Sequence, residues 1–143
     1  FVLTCSGNPC GYILGTRDSA AFYDRCEKEW FTVLRERYPR PDDADMSADA
    51  RITRIIHSVQ KADEDMSPYP AHLHIDLLPE AQGQGMGRKL INTFLDKLRA
   101  INVPGVHLGV GKANTNAVGF YKRLGFELVK ELEASINFGM SLK

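Results

Sequence analysis

The sequence lacks any apolar run long enough for a membrane span or a signal-peptide core, so neither is expected and a cytoplasmic location is the default reading. It lacks an excess of either charge: 18 Lys and Arg balance 18 Asp and Glu. That balance removes the basic field of a nucleic-acid-binding protein and the acidic tail of a solvating one. No aromatic cluster sits within a basic patch as base stacking requires. Cys5, Cys10 and Cys26 are odd in number and show no CxxC spacing, so all three are expected as free thiols in a reducing compartment, and no metal site is expected. The chain has no internal repeat and no low-complexity segment. It opens at Phe1, without Met, inside what reads as a strand, so a first element of the fold is expected upstream.

What is present is ordinary for one compact domain over 1–143. Hydrophobic residues make up 43% and charged residues 25% of 143 positions, enough to bury a normal core. "FVLTC" and "GYILGT" flank the turn cluster "SGNP", a hairpin pattern. Asp18 or Ser19 is suited to cap a helix whose apolar residues Phe22, Cys26, Trp30, Val33 and Leu34 recur every three or four positions, with Pro39 and Pro41 beyond its end. Ile52, Ile55, Ile56 and Val59 predict a short second helix between two polar loops. "AHLHIDLLP" reads as a strand stopped by Pro79. Leu90, Ile91, Phe94, Leu95 and Leu98 predict the buried stripe of a further helix. "GVHLGV" reads as a strand, "NAVGFYKRLG" as a helix stopped at Gly125, and "FELVKEL" and "SINFGMSL" as two antiparallel strands. The order ββ-αα-β-α-β-α-β-β specifies an α/β fold with a mixed sheet and helices on its faces.

The stretch "EAQGQGMGRKL" has Gly83, Gly85 and Gly87 running straight into a helix. Glycine there costs helix stability, but it allows the unpaired N–H groups of a first helical turn to approach an anion. The spacing is wrong for a P-loop, which needs GxxxxGK followed by Ser or Thr, and for the dinucleotide fingerprint GxGxxG. A plain flexible turn before a helix is the alternative.

Two patterns resemble one family. Gln82-x-x-Gly85-x-Gly87 after "LHIDLLPEA" resembles the pyrophosphate loop of the GNAT family of N-acetyltransferases. "NTNAVGFYKRLGF" resembles that family's Asn-x-x-Ala-x-x-Phe-Tyr-x-x-x-Gly-Phe segment. The resemblance covers residues 71–143 and extends to the opening hairpin, with about 17–70 reading as a helical insertion. Among subgroups, the chain looks most like the acetyltransferase-like domain of the animal O-GlcNAc hydrolases and its bacterial relatives. The resemblance implies a mostly antiparallel sheet whose central strands, at "HIDLL" and "HLGVG", splay to admit acyl-coenzyme A. It implies acetyl-coenzyme A as co-substrate and no metal. Gln82, Gly83, Gln84, Gly85, Met86, Gly87 and Arg88 would cradle the pyrophosphate, backbone groups of Leu77 and Leu78 would pair with the pantetheine arm, and Asn116, Phe120 and Tyr121 would flank the arm and thioester. Lys112, Lys122 and Arg123 would add positive charge near the phosphates.

Acyl transfer to an amine needs a proton acceptor for the amine and a proton donor for the departing thiolate. Strand alternation puts His72, His74 and Asp76 on one face and Leu73, Ile75 and Leu77 on the other. "AHLH" is similar to the same segment of the aralkylamine N-acetyltransferases, which implies a proton relay through His72 and His74. Asp76 would orient the amine or a water, or act as a rival base. Half-buried strand histidines bonded to backbone are the plain alternative. The family's tyrosine role falls on Tyr121 as acid toward the thiolate. Many family members carry a glutamate where this chain has Gly109. The expected function is therefore an acetyl-coenzyme A-dependent N-acetyltransferase using a ternary complex with an amine acceptor, small molecule or protein. The second reading is a pseudo-enzyme that binds without transfer. Neither nucleic acid nor membrane is an expected partner, and a homodimer is left open.

Overall fold

The computed structural model describes residues 1–143. They divide into two compact units, Phe1–Asp18 with Asp63–Lys143, and Ser19–Ala62. No helix is long and apolar enough to cross a membrane.

The first unit opens with the predicted hairpin. Strands β1 (Val2–Cys5) and β2 (Asn8–Thr16) are joined by Ser6 and Gly7, both at positive φ, 50° and 87°. Two successive positive φ angles match the right-handed twist of a tight hairpin. The ladder slips between Leu3, which faces Gly11, and Thr4, which faces Pro9, so Cys10 is the extra residue of a bulge. Turn and bulge together bring Cys10 against Cys5, their Cα atoms 5.7 Å apart, and the two form a disulfide. This corrects the expectation of three free thiols: Cys26 alone is free. A spacing of five residues carries no disulfide pattern by itself, because the pairing depends on where the turn and the bulge fall.

Six strands form one sheet in the order β1-β2-β3-β4-β6-β5. β3 (Ala71–Leu77) lies antiparallel to β2. β6 (Ser135–Ser141) lies antiparallel to both β4 (Gly105–Gly111) and the edge strand β5 (Glu127–Glu131). Only β3 and β4 run parallel, and the crossover that a parallel pair requires is helix α4 (Met86–Ala100). α4 buries Leu90, Ile91, Phe94, Leu95 and Leu98, the stripe its sequence specified. Helix α5 (Thr115–Arg123) adds Tyr121 to the same core as Ile13, Ala71, Leu73, Val106, Leu108 and Phe138. The element order and mixed, mostly antiparallel sheet agree with the sequence reading.

One irregularity shapes the site. β3 and β4 each have seven residues, yet they pair only at Ala71↔Val106 and His72↔His107. β3 keeps its ladder to β2 as far as Leu77, and β4 keeps its ladder to β6 along its whole length. The two strands therefore part after His72 and His107 and leave a wedge between them. Packing compensates at the closed end: Ala71, Val106 and Phe138 are fully buried, and burial of a large apolar side chain contributes roughly 1.5–3 kcal/mol.

In the second unit, α1 (Ser19–Arg25) runs through a π-helical stretch, Cys26–Phe31, into α2 (Thr32–Arg37), and α3 (Ala48–His57) follows. Ser47 caps α3 by accepting from the Ala50 N–H at 3.1 Å. Arg35 ties the unit together. It pairs with Glu27 at 2.8 Å and donates to the carbonyl oxygens of Ile56 and Ser58, while Glu27 also accepts from the Gln60 N–H. The apolar pattern predicts one buried face for the first helix, but Trp30 is 63% and Val33 60% exposed. A π-helical stretch advances the chain by fewer degrees per residue than an α-helix, so residues before and after it do not stay in phase.

Candidate functional site

The glycine loop begins where β3 ends. Pro79–Ala81 make one 3₁₀ turn, and Ala81 is buried. Gly83 and Gly85 then take φ of 72° and 76°, left-handed angles that a side chain strains. Gly85 is the N-cap of α4, and no side chain caps it. The first helical bond runs from the Lys89 N–H to the Gly85 carbonyl at 3.2 Å. The N–H groups of Met86, Gly87 and Arg88 precede that bond, so they have no partner within the helix. Gly87 sits close to α5: a Cβ there would lie 3.2 Å from the Phe120 ring, a tight contact to which the ring would have to yield.

Those N–H groups border a cavity of about 530 Å³. Its walls come from the loop (Gln82, Gly83, Gly85), the start of α4, the open end of β3 (Ile75, Asp76, Leu77) and α5 (Asn116, Ala117, Phe120). Arg88 and Arg123 add two positive charges. The backbone of β3 faces the wedge in a defined way. Leu78 donates its N–H to the Cys10 carbonyl at 2.8 Å, so by strand alternation Leu77 and Ile75 turn their backbone groups away from β2, toward β4. Gln82 covers part of that edge, its Nε2 donating to the Leu77 carbonyl at 2.9 Å.

Of the residues read as cofactor-binding, Leu77, Gln82, Gly83, Gly85, Met86, Gly87, Arg88, Asn116 and Phe120 all line this one cavity. Three do not. Leu78 is the clearest correction. Its N–H is bonded to Cys10 and its carbonyl to the Ala81 N–H, because the β2–β3 ladder continues one residue beyond the strand. Gln84 turns back to the Glu80 carbonyl at 2.6 Å. Tyr121 points into the core beside Phe126 and Phe138. Ile75, on the apolar face of β3, also lines the cavity, and Asn114 and Ala117 join it through the α5 N-terminus that Asn114 caps.

The opposite face of β3 is polar, as alternation required. Asp76 Oδ2 accepts from the Tyr12 hydroxyl at 2.7 Å and lies 3.0 Å from His74 Nε2. Tyr12 and His74 also stack, their ring centroids 6.0 Å apart. His72 is half-buried against His107, ring centroids 5.7 Å apart. The Tyr12 hydrogen bond, then that of His74, holds the Asp76 carboxyl below the usual carboxylate range, which disfavours Asp76 as a base near neutral pH. Burial, with a smaller contribution from His107, pushes the His72 imidazole below the ordinary histidine value and keeps it neutral. Burial, then the Asp76 charge, pushes the Tyr121 phenol up, so it stays protonated. Gly109 also faces this side. A Cβ there would lie 3.2 Å from Asn137 Oδ1, so an amide stands beside the position without a side chain. Tyr12 was missed by sequence reasoning, because its position opposite Asp76 is a matter of register across β2 and β3.

Comparison with known proteins shows the family. The model of the Acetyltransferase (GNAT) family matches residues 6–126. The chain belongs to this family. It is 39% identical to SsHAT, known from a crystal structure, over 96% of this chain and 69% of that one, with a TM-score of 0.86. It is 26% identical over 134 residues to Protein O-GlcNAcase of Rattus norvegicus, a match that takes in 91% of this chain but only 15% of that protein. A shorter match, 38% identical over 63 residues, joins 42% of this chain to 40% of the peptidyl-lysine N-acetyltransferase YjaB of Salmonella typhimurium.

The lowered His72 value carries a stability consequence. The folded state takes up a proton at His72 less readily than the unfolded chain does, so the His72 contribution is present above about pH 6.5 and is lost as pH falls through the folded value. In urea titrations, His72→Gln should lose less stability than the wild type between about pH 7 and 5. Equal losses in the two proteins would contradict the assignment.

Proposed function

We propose that the chain is an acetyl-coenzyme A-dependent N-acetyltransferase that transfers acetyl directly to an amine within a ternary complex. The observation that carries this is the meeting of two backbone features in one cavity. The wedge edge of β3 offers Ile75 and Leu77 to an extended amide chain, and the α4 N-terminus offers the N–H groups of Met86, Gly87 and Arg88 to a pyrophosphate. The cradle fits such a group, since the αL turn at Gly85 and the missing Cβ at Gly87 keep the approach open.

When bound, acetyl-coenzyme A supplies an acetyl group activated as a thioester. The residues of the chain supply the rest. Gln82, Gly83, Arg88 and Arg123, which line the cavity, would hold the phosphates, and Asn116 and Phe120 would flank the arm. On the polar face, His72 and His74 accept the amine's proton through water. Imidazole suits this because its neutral form dominates near pH 7, and the lowered His72 value extends that range. Tyr121 is held protonated and is the candidate donor to the departing sulfur; its ring packs in the core beside Phe126 and Phe138, so the role requires its hydroxyl to reach the wedge.

A second reading has one observation in its favour: Gly109 leaves no carboxylate on β4 beside Asn137. Under that reading the domain binds coenzyme A without transfer. Calorimetric titration with acetyl-coenzyme A, followed by thiol release across a panel of amines, separates the two. Binding with amine-dependent release supports the enzyme, and binding with no release on any amine supports the pseudo-enzyme.

Gly85→Asp forces a side chain to positive φ and adds a negative charge at the anion site, and Gly87→Asp presses on Phe120. Each should weaken acetyl-coenzyme A binding by at least thirtyfold, roughly 2 kcal/mol, with an unchanged circular dichroism spectrum. Normal binding by both would remove the phosphate role of the loop. Tyr121→Phe keeps the ring and should leave affinity unchanged while lowering turnover about tenfold or more. Wild-type turnover would leave Tyr121 with packing alone.

A further inference from the structure

Tyr12, Asp76 and His74 are in direct contact on the floor of the polar face. Tyr12 and Asp76 are cross-strand partners, and His74 is the diagonal neighbour of Tyr12 two positions along β3. Both donors reach the same oxygen: Asp76 Oδ2 is 2.7 Å from the Tyr12 hydroxyl and 3.0 Å from His74 Nε2. The ring of Tyr12 lies against that of His74 at an interplanar angle of 27°. The side chains of His74 and Asp76 are 63% and 64% exposed, so this group is open to whatever enters from that side.

An ionised carboxylate only accepts hydrogen bonds. Asp76 is held ionised first by the Tyr12 hydroxyl, so the proton between it and His74 belongs to Nε2. Neutral imidazole carries one ring proton. With Nε2 protonated, Nδ1 keeps its lone pair and has the accepting role. We propose that Tyr12 and Asp76 are positioning residues that fix His74 as its Nε2–H tautomer, with Nδ1 as the atom that receives the amine's proton. This deepens the acetyltransferase reading and rests on it. The proton leaves the amine nitrogen and arrives at Nδ1, directly or through one water, giving imidazolium whose Nε2–H stays on the Asp76 carboxylate. The other titratable groups nearby are His72, on the same strand face and against His107 of β4, and Tyr121 on α5, which senses the Asp76 charge.

The test compares the wild type with Asp76→Asn, Tyr12→Phe and His74→Gln. The first readout is the imidazole nitrogen spectrum of uniformly ¹⁵N-labelled, ligand-free protein at about pH 8.5, where histidine is neutral. His74→Gln assigns the signals. In the wild type His74 should be the Nε2–H tautomer. In Asp76→Asn the amide turns its NH₂ toward Nε2, and His74 should switch to the Nδ1–H tautomer. A carboxylate-to-amide exchange beside a catalytic imidazole has this wrong-tautomer effect in the serine protease triad. The second readout is steady-state kinetics. Asp76→Asn should lower turnover at least tenfold, and Tyr12→Phe about threefold or more with acetyl-coenzyme A affinity unchanged. An Asp76→Asn variant that keeps the Nε2–H tautomer, or one with wild-type turnover, overturns the proposal. If the wild type releases no thiol with any amine, the acetyltransferase reading fails by itself. The tautomer switch then still decides whether Tyr12 and Asp76 position His74.

Discussion

The early end of the β3–β4 ladder is the constraint on which the rest of the site depends. Parallel neighbours normally exchange hydrogen bonds along their length, and a backbone group left without a partner costs about 1–3 kcal/mol when buried. Here pairing stops after His72↔His107. The sheet holds because β2 and β6 pair fully on the outer sides of the two strands, and because Leu73, Leu108 and Phe138 are packed beneath α4 and α5. The gap also creates demand for a partner. Gln82 meets part of it by donating to the Leu77 carbonyl, and the remaining edge suits an extended ligand with amides of its own.

A second consequence is electrostatic. The wedge opens toward the start of α4, whose uncapped N–H groups carry the positive end of the helix dipole. Arg88 and Arg123 reinforce it, while Asp76 on β3 lines the same cavity. A negative group is therefore favoured at the loop and disfavoured toward β3, which orients a ligand with an anionic end and a neutral reactive one. The Asp76 charge also reaches Tyr121 and helps to keep its phenol protonated. One carboxylate thus bears on the histidine side and the tyrosine side of the wedge.

Much of this was legible in the chain itself. Period-2 alternation in "AHLHIDL" separated His72, His74 and Asp76 from the apolar face, and the period-3.6 stripe of α4 was read residue for residue. The glycine loop stood out as a candidate anion site because three glycines before a helix have a cost that a bound anion would offset. What was not legible depends on register or on irregular backbone. The Cys5–Cys10 pairing requires the Ser6–Gly7 turn and a bulge at Cys10. Tyr12 meets Asp76 only through the β2–β3 register. Leu78 differs from Leu77 only in the direction its N–H takes, and the π-helical stretch at Cys26–Phe31 breaks the phase of an otherwise convincing apolar pattern.

The central claim is that the open edge of β3 and the start of α4 hold acetyl-coenzyme A through their backbone. Residue-resolved amide hydrogen exchange, with and without saturating acetyl-coenzyme A, tests it most directly. The account predicts new protection at Ile75, Leu77, Met86, Gly87 and Arg88, with little change at Leu78, whose N–H is already bonded to Cys10. Protection confined to residues outside the wedge and the glycine loop, or equal protection at Leu77 and Leu78, would contradict it.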